Sequence, residues 1–269
     1  MNRIQVFAAG SIVLLVGLLV SLIWPRDEIT QGRTSESISI LCASSNRLVI
    51  EKICEDYLRE TGIRVTVQFG PSQSLLSGLQ ISRTGDLYIP ADDSYLELAT
   101  QKGLVEETIP LARMQVGIAV RREFGIEIEN FEQLLSPDIR LVQADPEIAA
   151  IGSVTRKALE KSGRWERLAK ATVAFRTTVN DVANDVQLTA ADVGVVFDAI
   201  LVGYPDLKFI SIDELADVSA SCSVGILRTN SNPEAARRFA KFLSASNRGQ
   251  VRYREFGFSA VDGIPWEER

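Results

Sequence analysis

The chain has 269 residues, 46% of them hydrophobic, which is too long for a disulfide-stapled mini-domain and too apolar for a disordered chain. Lys and Arg total 29 against 35 Asp and Glu, so the net charge of −6 leaves no basic surplus for nucleic acid. There is no histidine, which removes His-based triads, His general bases and most catalytic zinc sites. The three cysteines, Cys42, Cys54 and Cys222, make neither a disulfide framework nor a four-cysteine metal site.

Residues 4–24 carry no charge. At about 1.5 Å per residue that run is roughly 31 Å of helix, enough to cross a hydrocarbon core. Arg3 precedes it and Arg26-Asp27-Glu28 follow, which orients the N-terminus inward and the rest of the chain outside the cytoplasm. The run ends Leu22-Ile23-Trp24-Pro25, a poor cleavage site, so an uncleaved anchor is the preferred reading over a cleaved signal peptide. Residues 30–36 read as a polar linker. Residues 1–36 hold three basic and three acidic residues, leaving the soluble part at −6 as well.

From residue 37 the pattern alternates. A short apolar strand over 37–43 is followed by Ser44 or Ser45 as a helix N-cap. Val49, Ile50, Ile53, Cys54, Tyr57 and Leu58 then form one helical face, with Gly62 as the terminating residue. Ile63, Val65, Val67 and Phe69 alternate with polar residues as a strand does. Gly70-Pro71-Ser72 turns into a helix through Leu75, Leu76 and Leu79; residues 86–89 are a third strand, and 93–102 a helix closed by Gly103. This alternation means a parallel sheet with helices on both faces.

Residues 114–120 read as a strand that passes into a second lobe. That lobe has a short helix at 131–135, strands at 139–144, 173–176, 193–197 and 208–212, and helices at 153–161 and 179–188. Residues 221–227 are an apolar strand able to return to the first lobe. Asn232 caps a helix over 233–243 with Pro233 in its first turn, and a short helix runs through 253–256. The expected division is 1–36 as anchor or signal with linker, 37–114 plus 228–269 as lobe 1, and 115–227 as lobe 2. Two α/β lobes joined by strand crossings make a hinged ligand clamp.

Three strand-to-helix junctions place small polar residues or exposed amides at helix starts: residues 42–46, 69–74 and 145–153. Helix N-termini carry unpaired N–H groups and about half a positive charge, so they hold anions without lysine or arginine. The competing reading of each serine is simple N-capping. Other candidates are weaker. Asp92-Asp93 and Asp145 with Glu147 are carboxylate pairs that loops and caps explain. Ser44 or Ser45 with Lys52 lacks an oxyanion partner for nucleophilic chemistry. Cys42 and Cys54 are read as buried free thiols, with a Cys42–Cys54 disulfide as the alternative. Arg237-Arg238 reads as a solvated face.

The segment from Ile40 to Gly103 resembles the periplasmic molybdate-binding proteins, the type II solute receptors of molybdate uptake transporters. The shared features are a strand followed by Ala43-Ser44-Ser45, the run Tyr57 to Val65, Phe69-Gly70-Pro71-Ser72, and Gly85-Asp86-Leu87-Tyr88-Ile89-Pro90-Ala91-Asp92. Asp145-Pro146-Glu147 with Gly152, residues 157–163, and Phe256-Gly257-Phe258 extend it over most of 38–258. The resemblance implies an α/β, two-lobe clamp of periplasmic-binding-protein type II, with mixed, mostly parallel sheets after an N-terminal transmembrane helix. It implies an extracytoplasmic receptor anchored to the cytoplasmic membrane through residues 4–24 unless cleaved. Such a receptor captures a tetrahedral oxyanion, molybdate or tungstate, as a monomer, and delivers it to an ABC transporter permease. No cofactor, metal, nucleic acid or catalysis is expected. Carried over position by position, the oxyanion donors are the hydroxyls of Ser45 and Ser72 and backbone N–H groups near Ile151 and Val179. The tyrosine position of the family falls on Phe197, which has no hydroxyl, and Ile151 stands where the family has a small residue. Those two departures motivate the alternative: an anchored receptor-like domain that has lost oxyanion binding and serves as a sensory or protein-interaction module.

Overall fold

The computed structural model describes residues 37–123 and 127–267. The expected membrane-spanning segment at 4–24 lies outside these. Among the described residues no helix is long and apolar enough to cross a membrane.

The first sheet is built as the alternation predicts. β1 (Ser37–Ala43) pairs in parallel with β2 (Arg64–Gly70) and β3 (Leu87–Ile89), and the links between them are α1 (Arg47–Thr61) and α2 (Ser72–Ser82). α1 buries Val49, Ile50, Ile53 and Tyr57 of the expected stripe, while Cys54 is half-buried and Leu58 is exposed. It ends at Gly62, whose φ of 73° and N–H bond to the Leu58 carbonyl are those of a left-handed cap. α3 (Ser94–Gln101) follows and stops before Gly103. The Asp86 carboxylate fastens this sheet from within. Oδ2 accepts from Ser39 N–H at 2.8 Å and Ser39 Oγ at 2.9 Å, and Oδ1 accepts from Ser231 N–H at 3.0 Å.

β4 (Val105–Arg121) is longer than the strand expected at 114–120. Its first part pairs antiparallel with β9 (Ser219–Leu227), and its last part pairs with β7 (Val193–Phe197) and β8 (Leu207–Ile210). One strand therefore runs through both sheets. In the second sheet β7 pairs in parallel with β5 (Leu141–Ala144), and β5 with β6 (Thr172–Arg176). Its helices are α4 (Phe131–Leu134), α5 (Ala150–Glu160), α6 (Arg164–Ala171) and α7 (Val179–Gln187). α8 (Pro233–Ser244), α9 (Gly249–Glu255) and β10 (Ser259–Ala260) return to the first sheet, where β10 pairs with β4. Asn232 accepts from Ala235 N–H, as expected of its cap. Phe239 and Phe242 of α8 pack edge-on against Tyr57, at 4.7 and 5.0 Å between centroids.

One expected boundary is corrected. β9 pairs with β3 and with the first part of β4, so 219–227 belongs to the first sheet and the return crossing precedes β9 rather than following residue 227. The strand reading of 221–227 as able to return to the first lobe holds, and only the bound at 227 moves, because the pairing partners of β9 are distant in sequence. The two crossings lie side by side, with Val116 N–H bonded to the Val218 carbonyl at 2.8 Å. Gln115 is clamped there: its N–H donates to Asp198 Oδ1 at 2.9 Å and its Nε2 to the Leu215 carbonyl at 3.0 Å.

Cys42, Cys54 and Cys222 are free, so the alternative Cys42–Cys54 disulfide is not formed. Burial raises all three thiols, that of Cys54 to about 12. Thiolate is the reactive form, so at pH near 8 native thiols should react with a disulfide reagent far more slowly than thiols of the urea-unfolded chain. Rapid labelling of even one thiol in the folded protein would contradict this packing.

Candidate functional site

The junctions after β1, β2 and β5 converge with the start of α7 on one cavity between the two sheets. Its wall in the first lobe is Ala43, Ser44 and Ser45, then Gly70, Pro71 and Ser72, with Ala91. In the second lobe it is Ala149, Ala150 and Ile151, Thr178 and Val179, and Phe197. All five expected site residues, Ser45, Ser72, Ile151, Val179 and Phe197, therefore line one space. The cavity volume is about 20 Å³, against roughly 10–15 Å³ for a single water on the same measure. That leaves room for little more than one small guest.

No side chain in this wall is titratable. The acidic neighbours along the chain are engaged elsewhere. Asp92 accepts from Ser94, and Asp93 Oδ2 accepts from Ser223 Oγ at 3.0 Å. Burial raises the Asp93 carboxyl above its ordinary range, partly offset by the Ser223 bond. Asp145 accepts from Glu147 N–H, and Glu147 pairs with Arg156, so these carboxylates serve their loop. Lys52 pairs with Glu55 and Asp56 and takes no part in a serine site. Among the described residues no group of His, Cys, Asp and Glu could hold a metal.

What the wall offers is donors. The capping expectation for Ser44 or Ser45 is not met: no side chain caps the 3-10 turn at 44–46 or α1. Ser45 Oγ is buried and has no partner in the protein. Ser72 does not cap α2 either; Pro71 occupies that position. Ser72 Oγ instead accepts from Ala91 N–H at 3.1 Å, while the Ser72 carbonyl accepts from Tyr88 Oη at 2.7 Å. One lone pair is thereby engaged while the O–H has no acceptor among the described residues, so the Ser72 hydroxyl can donate into the cavity.

Backbone donors complete the set. Ser72, Ile151 and Val179 each sit in the first turn of a helix, where N–H groups have no intrahelical acceptor. No other acceptor among the described residues takes them. α5 begins at Ala150 rather than at the expected residue 153, which puts Ile151 inside its first turn. Gly152 makes this possible. A Cβ there would lie 2.4 Å from the Ala144 carbonyl oxygen and 2.7 Å from Pro146 N, so only glycine lets the helix start seat against the end of β5. α7 is held by a capping box in which Thr178 and Asp181 satisfy each other. The box leaves the N–H of Val179, a lining residue, without a bond among the described residues. Phe197, at the end of β7, closes the floor with carbon alone.

The lobes meet around this space. Gln73 N–H donates to the Ile148 carbonyl at 3.2 Å, and the side chains of Tyr95 and Ser153 are hydrogen-bonded. Ala149 and Ala150 fall within the expected junction at 145–153, whereas sequence reasoning did not place Ala91 and Thr178 at the site. It also missed Asn180, whose role is taken up below.

Comparisons with known proteins agree with this architecture. Residues 38–259 match the family model of bacterial extracellular solute-binding proteins. The molybdate-binding protein ModA of Escherichia coli K12 is 23% identical over 232 residues, covering 82% of this chain and 88% of that protein. A Haemophilus influenzae protein, named for binding without a stated ligand, is 27% identical over 133 residues. That match spans 49% of this chain and only 54% of the relative. Among solved structures, the periplasmic molybdate-binding protein of Azotobacter vinelandii superposes with a TM-score of 0.72 at 15% identity, covering 84% of this chain and all of that one. The sulfate-binding protein SubI of Mycobacterium tuberculosis gives the same score at 13% identity, covering 84% and 87%. At these identities the superpositions establish the two-lobe fold and not the ligand.

Proposed function

Because the chain belongs to the bacterial extracellular solute-binding proteins, we propose that it is an extracytoplasmic receptor for a tetrahedral oxyanion, molybdate or tungstate. It would act as a monomer without catalysis and pass the anion to an ABC transporter permease. The observation that carries this reading is the cavity wall: two serine hydroxyls and the first-turn amides of three helices, with no charged side chain among them. Fixed dipoles supply the field, which is why a protein of net charge −6 can hold an anion. The molybdate-binding relative and the superposed molybdate-binding fold support the choice of ion.

Every group named is a donor. An ion that keeps an O–H, such as hydrogen phosphate, brings a proton that no backbone amide accepts and that only a serine lone pair could take, and a buried donor left unmet costs about 1–3 kcal/mol. A fully ionised dianion meets no such cost. Isothermal titration tests the reading: molybdate should bind with an affinity that is flat between about pH 6 and about pH 8, since no lining group titrates. Phosphate binding as tightly as molybdate would contradict a donor-only site.

Phe197 gives a second test. A hydroxyl added by Phe197→Tyr would supply one more donor, worth about 1.5 kcal/mol or roughly tenfold in affinity. That gain, from a measurable start, is the expected result. Binding that is absent in the natural protein and appears only in the variant would favour the second reading, a receptor-like module that has lost its anion.

A further inference from the structure

Ser44 and Ser45 line a second, more enclosed cavity behind the first, of about 10 Å³. That is close to the roughly 10–15 Å³ that one water needs. Its walls mix apolar side chains, among them Leu48 and Phe258 from the first lobe and Ile200 from the second, with the polar residues Ser44, Ser45 and Asn180. Two of the polar side-chain atoms are unpartnered. Ser45 Oγ and Asn180 Oδ1 are both buried and both without a partner in the protein. Ser45 as a whole is 9% exposed, so its hydroxyl has no route to bulk solvent that would satisfy it. Asn180 is held in place through its own carbonyl, which accepts from Tyr204 Oη at 3.2 Å.

Buried polar atoms without partners are rare in native proteins, and a small cavity lined by two of them is where an internal water belongs. We infer that this cavity is a binding site for a single water that bridges Ser45 Oγ and Asn180 Oδ1 across the two lobes. The water donates one hydrogen to Asn180 Oδ1 and the other to a lone pair of Ser45 Oγ. The Ser45 O–H is then left to point into the oxyanion cavity. This repeats, through a water, what Ala91 N–H does directly for Ser72 Oγ. Asn180 is thus a positioning residue: it does not touch the anion, and it acts through the water on a hydroxyl of the other lobe. The role assigned to Ser45 rests on the oxyanion reading above; the water site does not.

The test is a high-resolution crystal structure of the full chain, together with molybdate titration of Asn180→Ala, Ser45→Ala and the double variant. Asn180→Leu, which fills the cavity with carbon, serves as a second probe. We expect water density within hydrogen-bond reach of both atoms, lost in Asn180→Leu. We expect Asn180→Ala to weaken molybdate on the order of tenfold in the natural background and not at all once Ser45 is alanine. An equal loss in both backgrounds marks a merely structural residue and overturns the positioning role. A cavity without density overturns the site itself. Density present in a protein that binds no molybdate sustains the water site and rejects the receptor reading on which the positioning role depends.

Discussion

Removing both serine hydroxyls, Ser45→Ala with Ser72→Ala, should reduce oxyanion affinity by a factor of a hundred or more while the protein stays folded. Hydrogen bonds to a charged partner contribute about 1.5–3 kcal/mol each, and a dianion in this cavity has no counter-charge to compensate. The single variants should differ in a way that capping would not produce. Ser45 Oγ has no partner in the protein, so Ser45→Ala removes a donor to the anion, strands no protein group and costs ligand-free stability at most the one bond to the inferred water. Ser72 Oγ accepts from Ala91 N–H, so Ser72→Ala strands a buried amide and should also cost about 1–3 kcal/mol of stability. Urea unfolding without anion, paired with molybdate titration, separates the two effects. Equal affinity in the double variant and the natural protein would remove both serines from the site.

Gly152→Ala should damage the site from its other side. The added Cβ meets only backbone: the Ala144 oxygen at 2.4 Å, Pro146 N at 2.7 Å and the Asp145 carbonyl carbon at 2.8 Å. No rotamer change relieves such a contact, so the start of α5 must move away from β5. Overpacking of this kind costs about 1–3 kcal/mol, and it displaces the Ile151 N–H from the cavity. The expected outcome is a lower melting temperature and at least a tenfold loss of oxyanion affinity. Gly78→Ala is the control. It lies within α2 with nothing within 4 Å of the new Cβ, so it should be neutral or stabilise by about 0.5–1 kcal/mol. A Gly152→Ala protein with full affinity would show that the α5 start does not hold the anion.

The same glycine explains what could and could not be read from the sequence. The alternation through α3 was legible because each element carries its own local signal: the buried stripe of α1, the left-handed Gly62, the alternation of β2, the Asn232 cap. The start of α5 was read three residues late. Ala149-Ala150-Ile151-Gly152 contains no capping side chain, and it contains none because its amides face the cavity rather than a cap. α6 was missed because it begins at a left-handed Gly163 with no side-chain cap and buries only Leu168. The first part of β4 was missed for a different reason. Glu106, Glu107 and Pro110 interrupt its pattern, and the ladder to β9 shifts register around Glu106 and between Pro110 and Ala112. The place of β9 in the first sheet depends on a pairing with residues more than a hundred positions away, which no local window contains.

At the site the five expected residues share one wall, although that nearness does not by itself show what binds there. The serines were found through their junctions, and the amide positions and Phe197 through the family resemblance. Asn180 carried no signal, because an asparagine in the first turn of a helix reads as an ordinary surface residue until the fold buries its oxygen against the other lobe.

The central claim is that this cavity binds a fully ionised tetrahedral dianion without counter-charge. The direct measurement is the melting temperature of residues 37–269, one compact unit, alone and with millimolar molybdate, tungstate, sulfate or phosphate. A ligand at about a thousand times its dissociation constant stabilises by roughly 4 kcal/mol, a rise of about 10 °C for a chain of this size. The account predicts that rise with molybdate and tungstate and a clearly smaller one with phosphate, with sulfate, also a fully ionised dianion, reporting how far size selects. An unchanged melting temperature with all four anions would contradict it.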